Sequence, residues 1–393
     1  MNKIFFIFIL ISTLITADDN LILLNKDNLN KIKLKIEKKD SFVTPAFSKL
    51  ILDAEEAMKE KNLVVTTKKV LPSSGNKHDY LSFGPYWWPN PETETGFPYI
   101  QKDGQTNPES KTESDSPKLA KLARITEVLS LSYFYTGDKK YAKQASELIY
   151  NWFLNPETKM NPHLKYGQAI PGKIDGRAIG IIDARHLIRI LDSVNLIKTS
   201  GYFTPKNEND LKLWMSQYNQ WLKEGEYSYE ESNWPNNHGT YYDYQVVGIS
   251  IFTEDFDFAK KTLEKSQYKR LASHIGTKGQ NFHELERTRP LHYSIFDLEA
   301  LVGLAVYSDK FKEIDFWQFT ANKASLKKAI DFIVKYKENP DEWIDKKEKV
   351  DFKSFAGILL IASQKYNDKK YITVIDDLWK LDPENINYLK WNK

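Results

Sequence analysis

The 393-residue chain contains no cysteine. That absence excludes a disulfide framework, thiolate metal sites, iron–sulfur clusters and a cysteine nucleophile together. Charge of one sign is not in excess either. With 56 Lys+Arg against 53 Asp+Glu the net is +3, which excludes the lopsided basic footprint of a nucleic-acid binder. Beyond the N-terminus no run approaches the roughly eighteen uncharged apolar residues of a membrane span. Neither a phosphate-cradling P-loop nor a dinucleotide fingerprint occurs. His283-Glu284-Leu285-Glu286-Arg287 begins like a zinc-protease helix, but Arg287 stands where the second histidine must be. Asp103-Gly104-Gln105-Thr106-Asn107 lacks the ligand alternation of a calcium loop. No metal and no organic cofactor are therefore expected. The sequon Asn-x-Ser/Thr is also missing, which favours a bacterial periplasm or exterior over a glycosylating pathway.

What is present reads as an exported globular protein. Hydrophobic residues make up 41% and charged residues 28%, ordinary for a packed domain. Lys3, the apolar run Ile4 to Ile15 and Thr16-Ala17 before Asp18-Asp19 form a secretory leader over residues 1–17. The expected mature protein is periplasmic or extracellular, monomeric and free of the membrane. Residues 18–40 read as an N-terminal lead-in, and 41–393 as one domain. The 10 Trp, 22 Tyr and 21 Phe suit either large core contacts or a cleft on which flat ligands stack.

Helical spacing dominates the body. Leu119, Leu122, Ile125, Val128 and Leu129 recur at helical intervals after Pro117, and Gly137 marks the stop. Ala142, Ala145, Leu148, Ile149 and Trp152 define the next helix. A pattern of aromatic, acidic turn and aromatic occurs three times, at 133–142, 251–259 and 364–372. Helical hairpins of this kind cannot bury their apolar faces singly, so they stack into a curved or closed layer with a concave side. The expected class is all-α. Residues 71–116 break the pattern with nine prolines and glycines before Asn107, and Tyr86-Trp87-Trp88 suggests an ordered loop packed over something.

Three blocks concentrate chemistry: Gly84-Pro85-Tyr86-Trp87-Trp88-Pro89, Asn233-Trp234-Pro235-Asn236-Asn237-His238-Gly239-Thr240-Tyr241-Tyr242, and Glu286-Arg287-Thr288-Arg289-Pro290-Leu291-His292-Tyr293. Amides and an imidazole at a helix start, with guanidiniums from elsewhere, describe a site for an acidic substrate. These blocks, with Asn155-Pro156 through Asn161-Pro162-His163 and the stretch from Gln168 to Asp183, resemble the alginate lyase family of polysaccharide lyases in its all-helical toroid branch. The resemblance runs from about residue 81 to the 330s.

It implies an (α/α) toroid, an incomplete barrel of antiparallel helical hairpins, that cleaves a 4-linked uronate polymer by β-elimination and leaves a 4,5-unsaturated end. By the same resemblance Asn237, His238 and Arg287 neutralise the substrate carboxylate, and Tyr293 moves the proton. A free tyrosine titrates near ~10, so nearby positive charge is expected to bring it down. Tyr86, Trp87, Trp88, Asn236, Tyr242 and Arg289 are the candidate substrate contacts. Arg289 stays an alternative to Arg287, His238 an alternative to Tyr293 as base, and Asn236 a simple helix cap. Two competing functions remain at this point. One is a glycoside hydrolase using two of Asp175, Asp183, Asp243, Glu284 and Glu286; the other is a non-catalytic uronate-binding protein.

Overall fold

The computed structural model describes residues 21–102, 105–343, 348, 350 and 352–393. The expected leader, residues 1–17, lies outside them, as do Asp103 and Gly104. Local chemistry sets the helices where the spacing placed them. The first long helix is Ser116–Thr136, with Pro117 in its opening turn and Gly137 (φ 72°) closing it in the left-handed region. All three repeated patterns are hairpin turns. Gly137, Glu254 and Asn367 adopt positive φ, and the acid that follows each one caps the next helix. Asp138 accepts the Lys140 N–H, Asp255 the Phe258 N–H and Asp368 the Lys370 N–H.

Five helices follow one another as an inner ring: Ser116–Thr136, Leu187–Ile197, Asn237–Phe252, Pro290–Ser308 and Lys353–Tyr366, each touching the next. The third is buried on every side except at His238, as expected of a helix enclosed by others. Outer helices bury one stripe each. Lys369–Leu381 does so through Tyr371, Val374, Ile375 and Leu378, at i, i+3, i+4 and i+7. The turn Ile386–Leu389 touches both Thr44–Ala57 and Lys353–Tyr366, bringing the two ends of the succession together. Among the described residues, strands are short and paired in twos.

No change in packing marks a boundary near residue 41. Leu21, Ile22, Leu29 and Ile32 belong to the same core as the ring helices, so the segment expected as a lead-in is part of the domain from Leu21 onward.

The long irregular segment is ordered by pairing. Leu81–Phe83 runs parallel to Tyr166–Ala169, and Trp87–Trp88 pairs with Ile100–Gln101. Behind the first of these pairs, Gly167 and Gly180 cross so closely that a Cβ on Gly180 would fall 2.4 Å from the Gly167 carbonyl carbon. Only glycine permits that crossing. The crossing folds residues 164–180 back on themselves, the Leu81–Phe83 pairing ties them to the long irregular segment, and Tyr86 of that segment reaches Tyr293 at the start of the Pro290–Ser308 helix.

Candidate active site

The turn before the Asn237–Phe252 helix is fixed from behind. Asn236 is the N-cap, its Oδ1 accepting the His238 N–H at 3.0 Å, so its acceptor serves the helix. Gly239 leaves room for Arg270, since a Cβ there would lie 2.3 Å from Arg270 Nη1. Arg270 is buried and bonds Asp243 Oδ2 through Nε at 2.7 Å. It also donates to the Ser232 and Trp234 carbonyls at 2.6 and 3.1 Å. The Asn-Asn-His-Gly block thus sits on a clamped turn.

Two carboxylates that the sequence reading did not assign to this site hold the block's chemical groups. The backbone N–H and the Nδ2 amide of Asn237 both donate to Glu284 Oε1, at 2.7 and 2.8 Å. His238 Nδ1 lies 2.9 Å from Glu231 Oε1, and Glu231 has no exposed surface. Burial pushes the Glu231 carboxyl upward while His238 pulls it back. With Nδ1 bound to a carboxylate, Nε2 is the nitrogen left for other chemistry.

The second half of the site comes from residues 284–293. The Arg287 guanidinium lies 4.0 Å from the centre of the Tyr293 ring, a cation–π distance. Arg289 is exposed at the N-cap position of the Pro290–Ser308 helix. Of the two arginines, Arg287 is therefore the one on Tyr293. The Tyr86 hydroxyl reaches across from the Trp-Trp-Pro loop to within 3.5 Å of the Tyr293 hydroxyl. The expected lowering of Tyr293 does not occur. Burial and the Tyr86 hydroxyl outweigh Arg287, and Tyr293 is pushed up to about 12. The reason is desolvation: a half-buried phenolate loses more hydration than one guanidinium returns.

The other candidate contacts divide. The Trp88 indole donates to the Gln105 carbonyl at 2.9 Å, anchoring its own loop, while Lys102 lies 5.0 Å from its ring. Trp87 carries Lys173 at 4.7 Å from its ring. Tyr242 is not in the cleft. It is buried, and its hydroxyl donates to the Leu222 carbonyl at 2.6 Å. Its position five residues after Asn237 turns it toward the neighbouring Pro205–Glu224 helix.

Further cations near this end escaped the sequence reading. Arg185 lies 5.3 Å from the Phe296 ring and 5.9 Å from the Tyr241 ring. Those residues are three and four positions beyond Tyr293 and Asn237, hence one turn deeper along the inner helices. Arg177 donates to Gln168 through Nε and Nη2, at 2.8 and 3.1 Å, and Gln168 holds a positive φ of 50°. Among the described residues neither arginine has a carboxylate at ion-pair distance.

The carboxylates needed by a hydrolase are occupied as supports. Asp183 accepts from Ser82 and Tyr80 at 2.6 and 3.1 Å, Asp243 holds Arg270, and Glu284 holds Asn237. Asp175 and Glu286 are exposed. Among the described residues no group of three or more His, Asp or Glu is arranged to hold a metal ion.

A model of the alginate lyase family matches residues 64–343. Among solved structures, an alginate lyase from Bacteroides ovatus is 33% identical with a TM-score of 0.87, covering 94% of this chain and 98% of that one. Alginate lyase A1-III from Sphingomonas species A1 is 14% identical with a TM-score of 0.51, covering 89% of this chain and 96% of that one, and shares the fold. A variant of alginate lyase A1-III complexed with a tetrasaccharide stands similarly, at 15% identity and 0.52, with coverage of 89% and 96%. Comparison with curated proteins gives no match. A family match over most of the chain, on the same (α/α) toroid as a lyase one-third identical to it, places this chain in the alginate lyase family: it is a polysaccharide lyase.

Proposed function

We propose that the chain cleaves alginate, or a closely similar 4-linked uronate polymer, at the site formed by Asn237, His238, Arg287 and Tyr293. The observation that carries the reading is the meeting of Arg287 with Tyr293 at 4.0 Å, with the Tyr86 hydroxyl 3.5 Å from Tyr293. A fixed positive charge and a proton-bearing hydroxyl then stand at one place. The C5 proton of a uronate is barely acidic while its carboxylate is charged. Arg287 and the Asn237 amide stabilise the charge that develops when that proton leaves, and one such donor is commonly worth ~3–4 kcal/mol. His238, oriented through Nδ1 by Glu231, takes the C5 proton on Nε2. The electron pair forms the C4–C5 double bond and the C4–O bond breaks. Tyr293, neutral because burial holds its hydroxyl up, gives its proton to the departing oxygen.

The test is a panel of uronate polymers with ultraviolet absorbance of the unsaturated ends as readout. Rising absorbance on alginate is the expected outcome, and products carrying only saturated ends would return the protein to the hydrolase reading. Activity is expected to persist after treatment with a chelator. We also propose that residues 1–17 direct export and that the mature protein is a periplasmic or extracellular monomer. N-terminal sequencing should begin at Asp18, and the mass in solution should be that of one chain.

A further inference from the structure

Behind Asn237 lies a buried polar network that the reaction above leaves unused. Glu284 has no exposed surface. Its Oε1 takes both N–H groups of Asn237, while its Oε2 has no hydrogen-bond partner. Asp297, one turn beyond Tyr293 on the same helix, is equally buried. Its Oδ2 accepts from Asn281 Nδ2 at 2.5 Å and lies 3.8 Å from His274 Nδ1, and its Oδ1 has no partner. The His274 imidazole also reaches the Thr240 hydroxyl at 3.5 Å, three residues after Asn237. The network therefore joins the two helix starts that carry the chemistry.

We propose that Glu284 is a positioning residue of the lyase site, acting through Asn237, and that the site is competent when Glu284 is neutral. The geometry gives both parts. An Asn amide nitrogen has two hydrogens. Glu284 fixes one, so the amide plane is set and the second is left for the substrate carboxylate. A negative Glu284 would place a buried charge, only partly offset by Arg287, directly behind that donor, opposing the charge that Asn237 must stabilise. The charged and titratable groups facing Glu284 are Asp297 and Tyr293 on the Pro290–Ser308 helix and Arg287 on its own segment. His274 and then His283 stand beyond Asp297. Burial and Asp297 together raise the Glu284 carboxyl to about 7, above the opposing pull of Asn237 and Arg287. The proton therefore stays on at mildly acidic pH and leaves as pH rises.

The inference rests on the proposed lyase reaction, so wild-type protein is first shown to form unsaturated ends in the same assay. E284Q keeps an acceptor oxygen for Asn237 and is neutral at every pH. Its kcat at pH 6 should lie within ~3-fold of wild type. Between pH 6 and 8.5 the wild-type kcat should fall relative to E284Q by about 30-fold, which is ~2 kcal/mol. E284A should lower kcat at least ~10-fold with a smaller change in KM, because the loss is felt as charge develops. A pH profile of E284Q parallel to wild type overturns the requirement for a neutral Glu284. A folded E284A with wild-type kcat overturns the positioning role. If E284A does not fold, E284M, which fills the space but offers no acceptor to Asn237, takes its place, and a folded E284M with wild-type kcat overturns the positioning role. Wild type that forms no unsaturated ends removes the lyase reading and this inference with it.

Discussion

Tyr293 stands between opposing influences: Arg287 over its ring favours the phenolate, while burial and the Tyr86 hydroxyl favour the phenol. The phenol prevails, which suits a group that delivers a proton. Tyr293→Phe keeps the ring under Arg287 but removes the proton, so turnover should fall at least ~100-fold with little change in affinity. Arg287→Ala removes the charge proposed to meet the substrate before and during reaction, so kcat and apparent affinity should fall together. Steady-state kinetics on one polymer separates the two. Near-normal turnover in Tyr293→Phe, with turnover abolished but binding retained in His238→Ala, would give both proton transfers to His238. The proposed site residues could be picked out in the sequence because short motifs place amides, an imidazole and guanidiniums at helix starts. Their supports were not. Glu231 lies seven residues from His238, and Glu284 lies 47 residues from Asn237. Only folding brings them to their partners, and Glu284 in the sequence reads as a hydrolase carboxylate or part of a failed zinc motif.

At the scale of elements, the same division between local and distant interactions separates what could be read from what could not. The three hairpins were legible because each is closed by neighbours in sequence: a left-handed residue, then an acid accepting an N–H two or three positions on. Asp138→Ala should therefore cost about 1 kcal/mol, the usual scale for a lost N-cap. A lower urea midpoint with unchanged specific activity would be the sign of it, and an unchanged midpoint would show that Lys139–Phe153 is held by packing alone. Tyr242 illustrates the opposite case. Its facing depends on how the Asn237–Phe252 helix is rotated against Pro205–Glu224, and no feature of the motif specifies that rotation. The segment before residue 41 was misread for a related reason. Its many lysines and asparagines hide the few positions, Leu29 and Ile32 among them, that join the ring's core.

Over the whole molecule, residues 21–24 and residues 386–391 both pack onto the ring helices. The C-terminal side contributes Leu389, whose carbonyl accepts the Tyr135 hydroxyl at 2.5 Å, and Lys390, which pairs with Glu127 at 3.1 Å. The N-terminal side is held more tightly. Asp192, on the inner helix Leu187–Ile197, accepts the consecutive backbone N–H groups of Ile22, Leu23 and Leu24 at 2.5, 3.0 and 3.0 Å. Lys310 donates to the Leu21 carbonyl at 2.6 Å. Cleavage after Ala17, as proposed, leaves only Asp18, Asp19 and Asn20 ahead of this clamp. Asp192→Ala removes the acceptor while the donors of Ile22 and Leu24 stay in a buried place, and an unsatisfied buried donor costs roughly 1–3 kcal/mol. Loss of at least ~2 kcal/mol is therefore expected, with Asp192→Asn losing less because one acceptor oxygen remains. The loss should begin locally. Amides of residues 22–24 should exchange with solvent faster than those of the Ser116–Thr136 helix, and a protease should cut before residue 41 while the ring is still folded. Unchanged exchange at residues 22–24 in Asp192→Ala would mean that Leu21, Ile22 and Leu24 are held by their apolar packing and that Asp192 contributes nothing to closing the ring.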